Sequence, residues 1–115
     1  MTLDLARSSL NGWQVVTITG QIDSKTVSLL RDFLAKEVKI DEPLALELSG
    51  VPFMSSAGLR TMLTLERQTK SHGVDLALLG LRSEIADTMK VTGFYQYFTN
   101  YESASSLPSK SEPST

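Results

Sequence analysis

A single α/β domain, with a mixed sheet of four to five strands and helices packed against it in the order β-β-α-β-α-β-α, is the fold this sequence predicts. Three observations carry the prediction. Runs rich in β-branched residues, or alternating between apolar and polar, recur at residues 13–19, 44–48 and 74–79. Stretches with apolar residues at i, i+3 and i+4 follow them, the pattern of a helix that buries one face. Glycines at 20, 73, 80 and 93 mark the boundaries. Strands joined through a helix run parallel and a pair joined by a tight turn is antiparallel, so this order makes the sheet mixed.

In chain order, residues 3–9 are a short strand candidate, and Asn11-Gly12 is a strong hairpin turn before the run Trp13, Gln14, Val15, Val16, Thr17, Ile18, Thr19. Asp23 or Ser24 is expected to cap a helix whose apolar stripe is Val27, Leu30, Leu34 and Val38, broadened by Leu29 and Phe33. Lys25, Arg31, Asp32, Lys36 and Glu37 form its solvated face. Leu44, Leu46 and Leu48 then alternate with Ala45 and Glu47 as a strand, closed by the Ser49-Gly50 turn signal. Pro52 cannot donate to a ladder and biases Val51 toward an extended conformation, so the chain must turn there. A second helix is expected over residues 57–72, with Leu59, Met62 and Leu63 inward and Gly73 at its left-handed stop. Residues 74–79 suit a strand buried on both faces and ended by Gly80. Ser83 is expected to cap a third helix with Ile85, Ala86 and Met89 inward, finishing at Gly93. Phe94, Tyr95, Tyr97, Phe98 and Tyr101 form an aromatic cluster expected to pack at the edge of the core, with a partner surface as the alternative.

At 115 residues the chain is long enough for one core that buries ~65% of its unfolded surface, and short for two domains. It has no cysteine, so disulfides and thiolate metal sites are excluded. No apolar run approaches ~20 residues, and the start lacks a basic segment followed by an apolar one. Neither a membrane span nor a secretion signal is therefore expected, and the expected location is cytoplasmic. A net charge of −2 with mixed signs lacks the basic stripe of a nucleic-acid binder, so the expected partner is protein. After Glu102 the composition turns to Ser and Pro. The domain is expected to cover residues 1–102, with residues 103–115 a flexible tail that has room for one short helix turn at its start.

Ser55 and Ser56 stand at the mouth of the second helix, where the first N–H groups lack intrahelical partners and the peptide dipoles leave about half a positive charge. A hydroxyl can cap such an end, and a phosphate suits it better. The string LELSGVPFMSSAGL resembles the core motif of STAS domains, the family of bacterial anti-sigma factor antagonists and of the cytoplasmic tails of sulfate transporters. The antagonists carry an apolar strand, an aromatic and an apolar residue, then Asp-Ser-(Ser, Thr or Ala)-Gly-Leu, with the first Ser phosphorylated by a partner kinase. Ser56, two residues before Gly58, falls on that acceptor position, with Ser55 the second choice. Ser55 itself stands where the family carries Asp, and Ala57 removes a competing hydroxyl. The resemblance covers roughly residues 3–100 and implies a STAS-like fold and a phosphorylation switch. Its partners would be a serine-kinase anti-sigma factor, of the ATPase fold related to histidine kinases, and a metal-dependent serine phosphatase. The partner-binding residues would be Ser24, Ser55, Ser56, Ala57, Gly58 and Leu59. A scaffold or sensory STAS module that binds an assembly or a small ligand without a phosphorylation cycle is the alternative.

No enzyme is expected. Ser56 and His72, the only histidine, lie sixteen residues apart along one helix, or ~24 Å, too far for a nucleophile and its base. The sequence holds no G-x-S-x-G elbow, no phosphate loop and no metal-ligand cluster, so neither cofactor nor metal is implied.

Overall fold

The computed structural model describes residues 3–110. Strands β1 (Asp4–Leu10) and β2 (Trp13–Thr19) form the antiparallel hairpin. Its turn residues Asn11 and Gly12 have φ of 52° and 87°, the left-handed pair that a two-residue turn between twisted strands requires. Strands β3 (Leu44–Gly50), β4 (Leu76–Leu79) and β5 (Thr99–Tyr101) follow in spatial order β1-β2-β3-β4-β5, each parallel to the one before it. Helices α1 (Val27–Glu37), α2 (Ser56–Ser71) and α3 (Ser83–Thr92) make the crossovers. Because every crossover steps the same way along the sheet, a common hand puts all three helices on one face. One core joins Val16, Ile18, Leu46, Leu48 and Leu78 of the sheet to Leu30, Met62 and Met89 of the three helices.

The two-residue period of a strand sends the intervening side chains to the other face. There Trp13, Val15, Ala45, Ala77 and Leu79 form a second buried cluster, and among the described residues no α-helix covers it. Its cover is the segment beyond β5. Ala104–Ser106 is a short 3-10 turn, and Leu107 behind it is only 5% exposed within the cluster. Trp13 Nε1 donates to the Pro108 carbonyl at 2.7 Å, and the Lys110 amide donates to the Asn11 carbonyl at 2.7 Å. The Lys110 ammonium pairs with Asp75. A Cβ on Gly12 would collide with the Lys110 carbonyl, so the hairpin glycine serves both the turn and the strap across it. The boundary expected after Glu102 thus cuts through a set of packed contacts. The end of the expected tail, residues 111–115, lies outside the described residues.

Three local expectations change. Asp23 and Ser24 do not cap α1. Its N-cap position is Thr26, while Asp23 closes a turn one step earlier. Ser83 is the first residue of α3 and bonds Glu84, with Arg82 at the cap position. Of the α1 stripe, Val27 and Leu30 are buried, Phe33, Leu34 and Val38 are half-covered and Leu29 is exposed. The aromatic run contains β5, whose three residues are too few to show a period and are ordered by pairing with β4. Phe98 is buried and Tyr97 exposed. Gln14, buried at the helix face, fastens the α1–β3 connection. Its Nε2 donates to the Lys39 and Glu42 carbonyls and its Oε1 accepts from the Lys39 amide, at 2.7, 3.3 and 2.8 Å.

Candidate functional site

Parallel strands β2 and β3 end at the same edge of the sheet, so the loops that leave them meet. The Ile22 amide donates to the Phe53 carbonyl at 3.0 Å, and the Ser55 amide to the Ile22 carbonyl at 2.8 Å, an isolated parallel bridge between Ile22 and Met54. Both side chains are buried. The sequence sign of this inner anchor is one apolar residue within the polar string Gln21-Ile22-Asp23-Ser24, too short a signal to show a period.

Gly58 makes the junction tight. A Cβ there would lie 2.7 Å from Met54 Cγ and 2.8 Å from Ile22 Cγ2, so only glycine lets the first turn of α2 sit on the bridge. Helix propensity alone would favour Gly58→Ala by about 1 kcal/mol. Against the stiff, branched Ile22 that gain is expected to reverse, to a net loss of about 1 kcal/mol for Ala and up to about 3 kcal/mol for Val. Urea unfolding of both variants checks it; an Ala variant more stable than the parent would remove this role for Gly58.

On that platform the serines divide their work. Ser55 has extended backbone (φ −76°, ψ 173°) and is the N-cap of α2, its oxygen accepting from the Gly58 amide at 3.3 Å. Ser56 is the first helical residue and is exposed. Ser55 therefore keeps the capping oxygen that an Asp would supply and omits its charge, and the first turn of α2 carries no acid. The electropositive helix end beside Ser56 is left without a carboxylate of its own.

Across the bridge, Asp23 organises the β2–α1 loop. Its Oδ1 accepts from the Lys25 and Thr26 amides at 2.9 and 3.0 Å, and Thr26 Oγ1 donates to the Gln21 carbonyl at 2.7 Å. The backbone bonds from Lys25 and Thr26 hold the Asp23 carboxyl below its ordinary range. Since the folded value is the lower one, this contribution is present above the ordinary pKa of 3.8 and is lost only as acid titrates below it. The loop so held presents Ser24 to solvent.

Of the six expected partner-facing residues, Ser24 and Ser56 are exposed and Ser55 and Ala57 partly so. Gly58 and Leu59 are buried, Leu59 at 5% exposure in the helix-side core. They position the surface from beneath, because the helix period turns them toward the sheet. Phe53, three residues before Ser56 and 49% exposed, adds an apolar side chain that the sequence reading had not assigned to the site. His72 sits at the opposite end of α2 as its C-cap residue, with Nδ1 donating to the Gln68 carbonyl at 2.9 Å.

Fold and loop cluster together define a class: a single-sheet α/β domain that displays serine hydroxyls where a central parallel strand gives way to a helix, with its only histidine at the far end of that helix. Residues 8–107 match the model of the STAS domain, and the chain belongs to that family. It is 26% identical over 97 residues, 84% of each chain, to BtrV of Bordetella bronchiseptica, which is named as a candidate anti-sigma factor antagonist. The fold is similar to that of an anti-sigma factor antagonist from Mycobacterium paratuberculosis (TM-score 0.73, 24% identity, 90% of this chain and 88% of that one). It is also similar to Bacillus SpoIIAA in its phosphorylated form (TM-score 0.63, 14% identity, 85% and 91% covered). The unphosphorylated form of SpoIIAA superposes equally well, with a TM-score of 0.65. Among the described residues no helix is long and apolar enough to cross a membrane.

Proposed function

We propose that this protein is an anti-sigma factor antagonist that works in the bacterial cytoplasm as a phosphorylation-controlled binding switch. Unphosphorylated, it binds a serine-kinase anti-sigma factor of the ATPase fold related to histidine kinases, and so frees that factor's target. The kinase transfers the γ-phosphoryl group of ATP to Ser56 Oγ, the hydroxyl proton leaving to a kinase base, and the complex comes apart. A metal-dependent serine phosphatase hydrolyses the phosphoester and restores the binding form. The chain itself catalyses nothing in this cycle.

One observation carries the reading: Ser56 is an exposed hydroxyl at an electropositive helix start whose capping residue, Ser55, is uncharged and whose first turn carries no acid. Phosphate adds ~1.5–2 negative charges, which that helix end tolerates and a docked partner must desolvate or repel. Support also comes from SpoIIAA, whose two phosphorylation states match this fold to a similar degree, TM-scores 0.65 and 0.63, so the fold is compatible with a switch that leaves it unchanged.

Intact-mass measurement of protein from its native cell should find a species heavier by one phosphoryl group. With the cognate kinase and ATP, Ser56→Ala should abolish labelling. Ser55→Ala should only reduce it, while costing about 1 kcal/mol of stability through the lost cap. Full labelling of the Ser56→Ala protein would sink the assignment.

A further inference from the structure

Helices α1 and α2 lie side by side on the sheet and leave between them an open groove of about 590 Å³. That is the size of a small-molecule site. Its walls are the part of the α1 stripe that the fold does not bury. Leu34, Val38 and Ile40 are half-covered and face Leu65 of α2 across the gap. Ala35 and Ala57 also line it, and their short side chains leave the space between the helices unfilled.

The guanidinium groups of the groove lie at one end, while the uncharged Gln68 amide and the His72 ring line the other. Thr61 Oγ1 donates to the Ala57 carbonyl and Thr64 Oγ1 to the Arg60 carbonyl, both at 3.0 Å, so their protons are spent on the helix itself. Both helices run back against the parallel strands, so they point the same way. Arg31 and Arg60, each the fifth residue of its helix, therefore line the groove at the same end. The ion pairs among the described residues are Lys39–Glu42 and Lys110–Asp75, so neither guanidinium has a carboxylate partner. From there the groove runs toward His72, twelve residues along α2 from Arg60 or about 18 Å.

An apolar trough with two uncompensated guanidiniums at one end complements a molecule with one anionic head and one hydrocarbon tail. We propose that the α1–α2 groove binds a free single-chain carboxylate amphiphile of medium length, its carboxylate between Arg31 and Arg60 and its tail along Leu34, Val38, Ile40 and Leu65. A guanidinium fork matches a carboxylate in geometry and charge, and the pair fixes the orientation of the chain. The site uses residues outside the Ser56 loop cluster and stands whether or not Ser56 is a phosphoacceptor.

The test is isothermal titration of the full chain with dodecanoate below its micelle concentration. Saturable binding at one site is expected, with affinity lowered at least tenfold in the double variant Arg31→Gln/Arg60→Gln and for uncharged dodecanol against the parent protein. Ala35→Trp, which fills the trough from a solvent-exposed position, should abolish binding while the melting temperature stays within a few degrees. Failure of dodecanoate to bind at millimolar concentration overturns the proposal, including the case in which an acidic amphipathic peptide binds the groove instead. Binding that survives both the arginine variant and Ala35→Trp also overturns it.

Discussion

Ser56→Asp is expected to weaken binding of the cognate kinase about a hundredfold, and complete phosphorylation of Ser56 about a thousandfold, with the melting temperature within a few degrees of the parent. The two halves of the expectation come from one location. Ser56 is exposed, and its backbone opens a sixteen-residue helix whose first turn has no acid, so a carboxylate or phosphate there meets free N–H groups and a favourable dipole. The folded chain therefore tolerates the charge. A partner docked over Ser24, Ser56 and Phe53 must remove that anion from water or face it with its own polar groups, and about 4 kcal/mol of penalty is a thousandfold in affinity. A single Asp charge in place of ~1.5–2 on phosphate should give the smaller effect. Isothermal titration against the kinase and a thermal melt of each form measure the two halves separately. Kinase affinity unchanged in the Asp form would remove the electrostatic switch, and a collapse of its melting temperature would mean that the charge acts by unfolding the domain.

Truncation after Glu102 is expected to cost about 2–4 kcal/mol and to lower the urea midpoint by roughly 1–2 M, whereas truncation after Lys110 should leave it unchanged. Removing a segment forfeits its net docking free energy, RT ln(1 + K), about 2.7 kcal/mol when the docked state outweighs the undocked a hundredfold. The contacts that set K are particular. Leu107 fills the second cluster between Trp13, Val15 and Leu79, worth ~1.5–3 kcal/mol in transfer terms, and the Trp13 indole N–H is satisfied by Pro108. Without the segment, Trp13 and Leu79 face water on a sheet surface that none of the helices α1–α3 covers. Leu107→Ala should reproduce most of the loss with the chain at full length, by about 2–3 kcal/mol. A truncated protein that keeps its midpoint would place the domain boundary at residue 102.

Most of the architecture was legible because it is written in local periods. The spacing of Leu59, Met62 and Leu63 made α2 a helix, Gly73 stopped it, and the alternation of Leu44, Leu46 and Leu48 made β3 a strand. The hairpin followed from two turn residues that accept positive φ. The motif around Ser56 was visible for the same reason, since a cap, an acceptor and a close-packing glycine occupy consecutive positions at one helix start. The division of labour between Ser55 and Ser56 could be posed from sequence, but both hydroxyls are chemically alike, and their backbone angles separate them.

What the amino-acid sequence determined by itself is therefore what depends on neighbours within a few residues: the three helices and first four strands, their order, the apolar stripe of each, and the serine pair at the start of α2. What only the tertiary structure decided depends on partners far along the chain. Ile22 and Met54 join two loops thirty-two residues apart into one platform; β5 exists because β4 offers it an edge; Leu107 covers Trp13 from ninety-four residues away; Leu34 and Val38 stay half-covered because they line the open groove between α1 and α2. Local periodicity specifies which face of an element avoids water. It carries no information about which distant segment arrives to cover that face, because that choice is made by the packing of the whole chain at once.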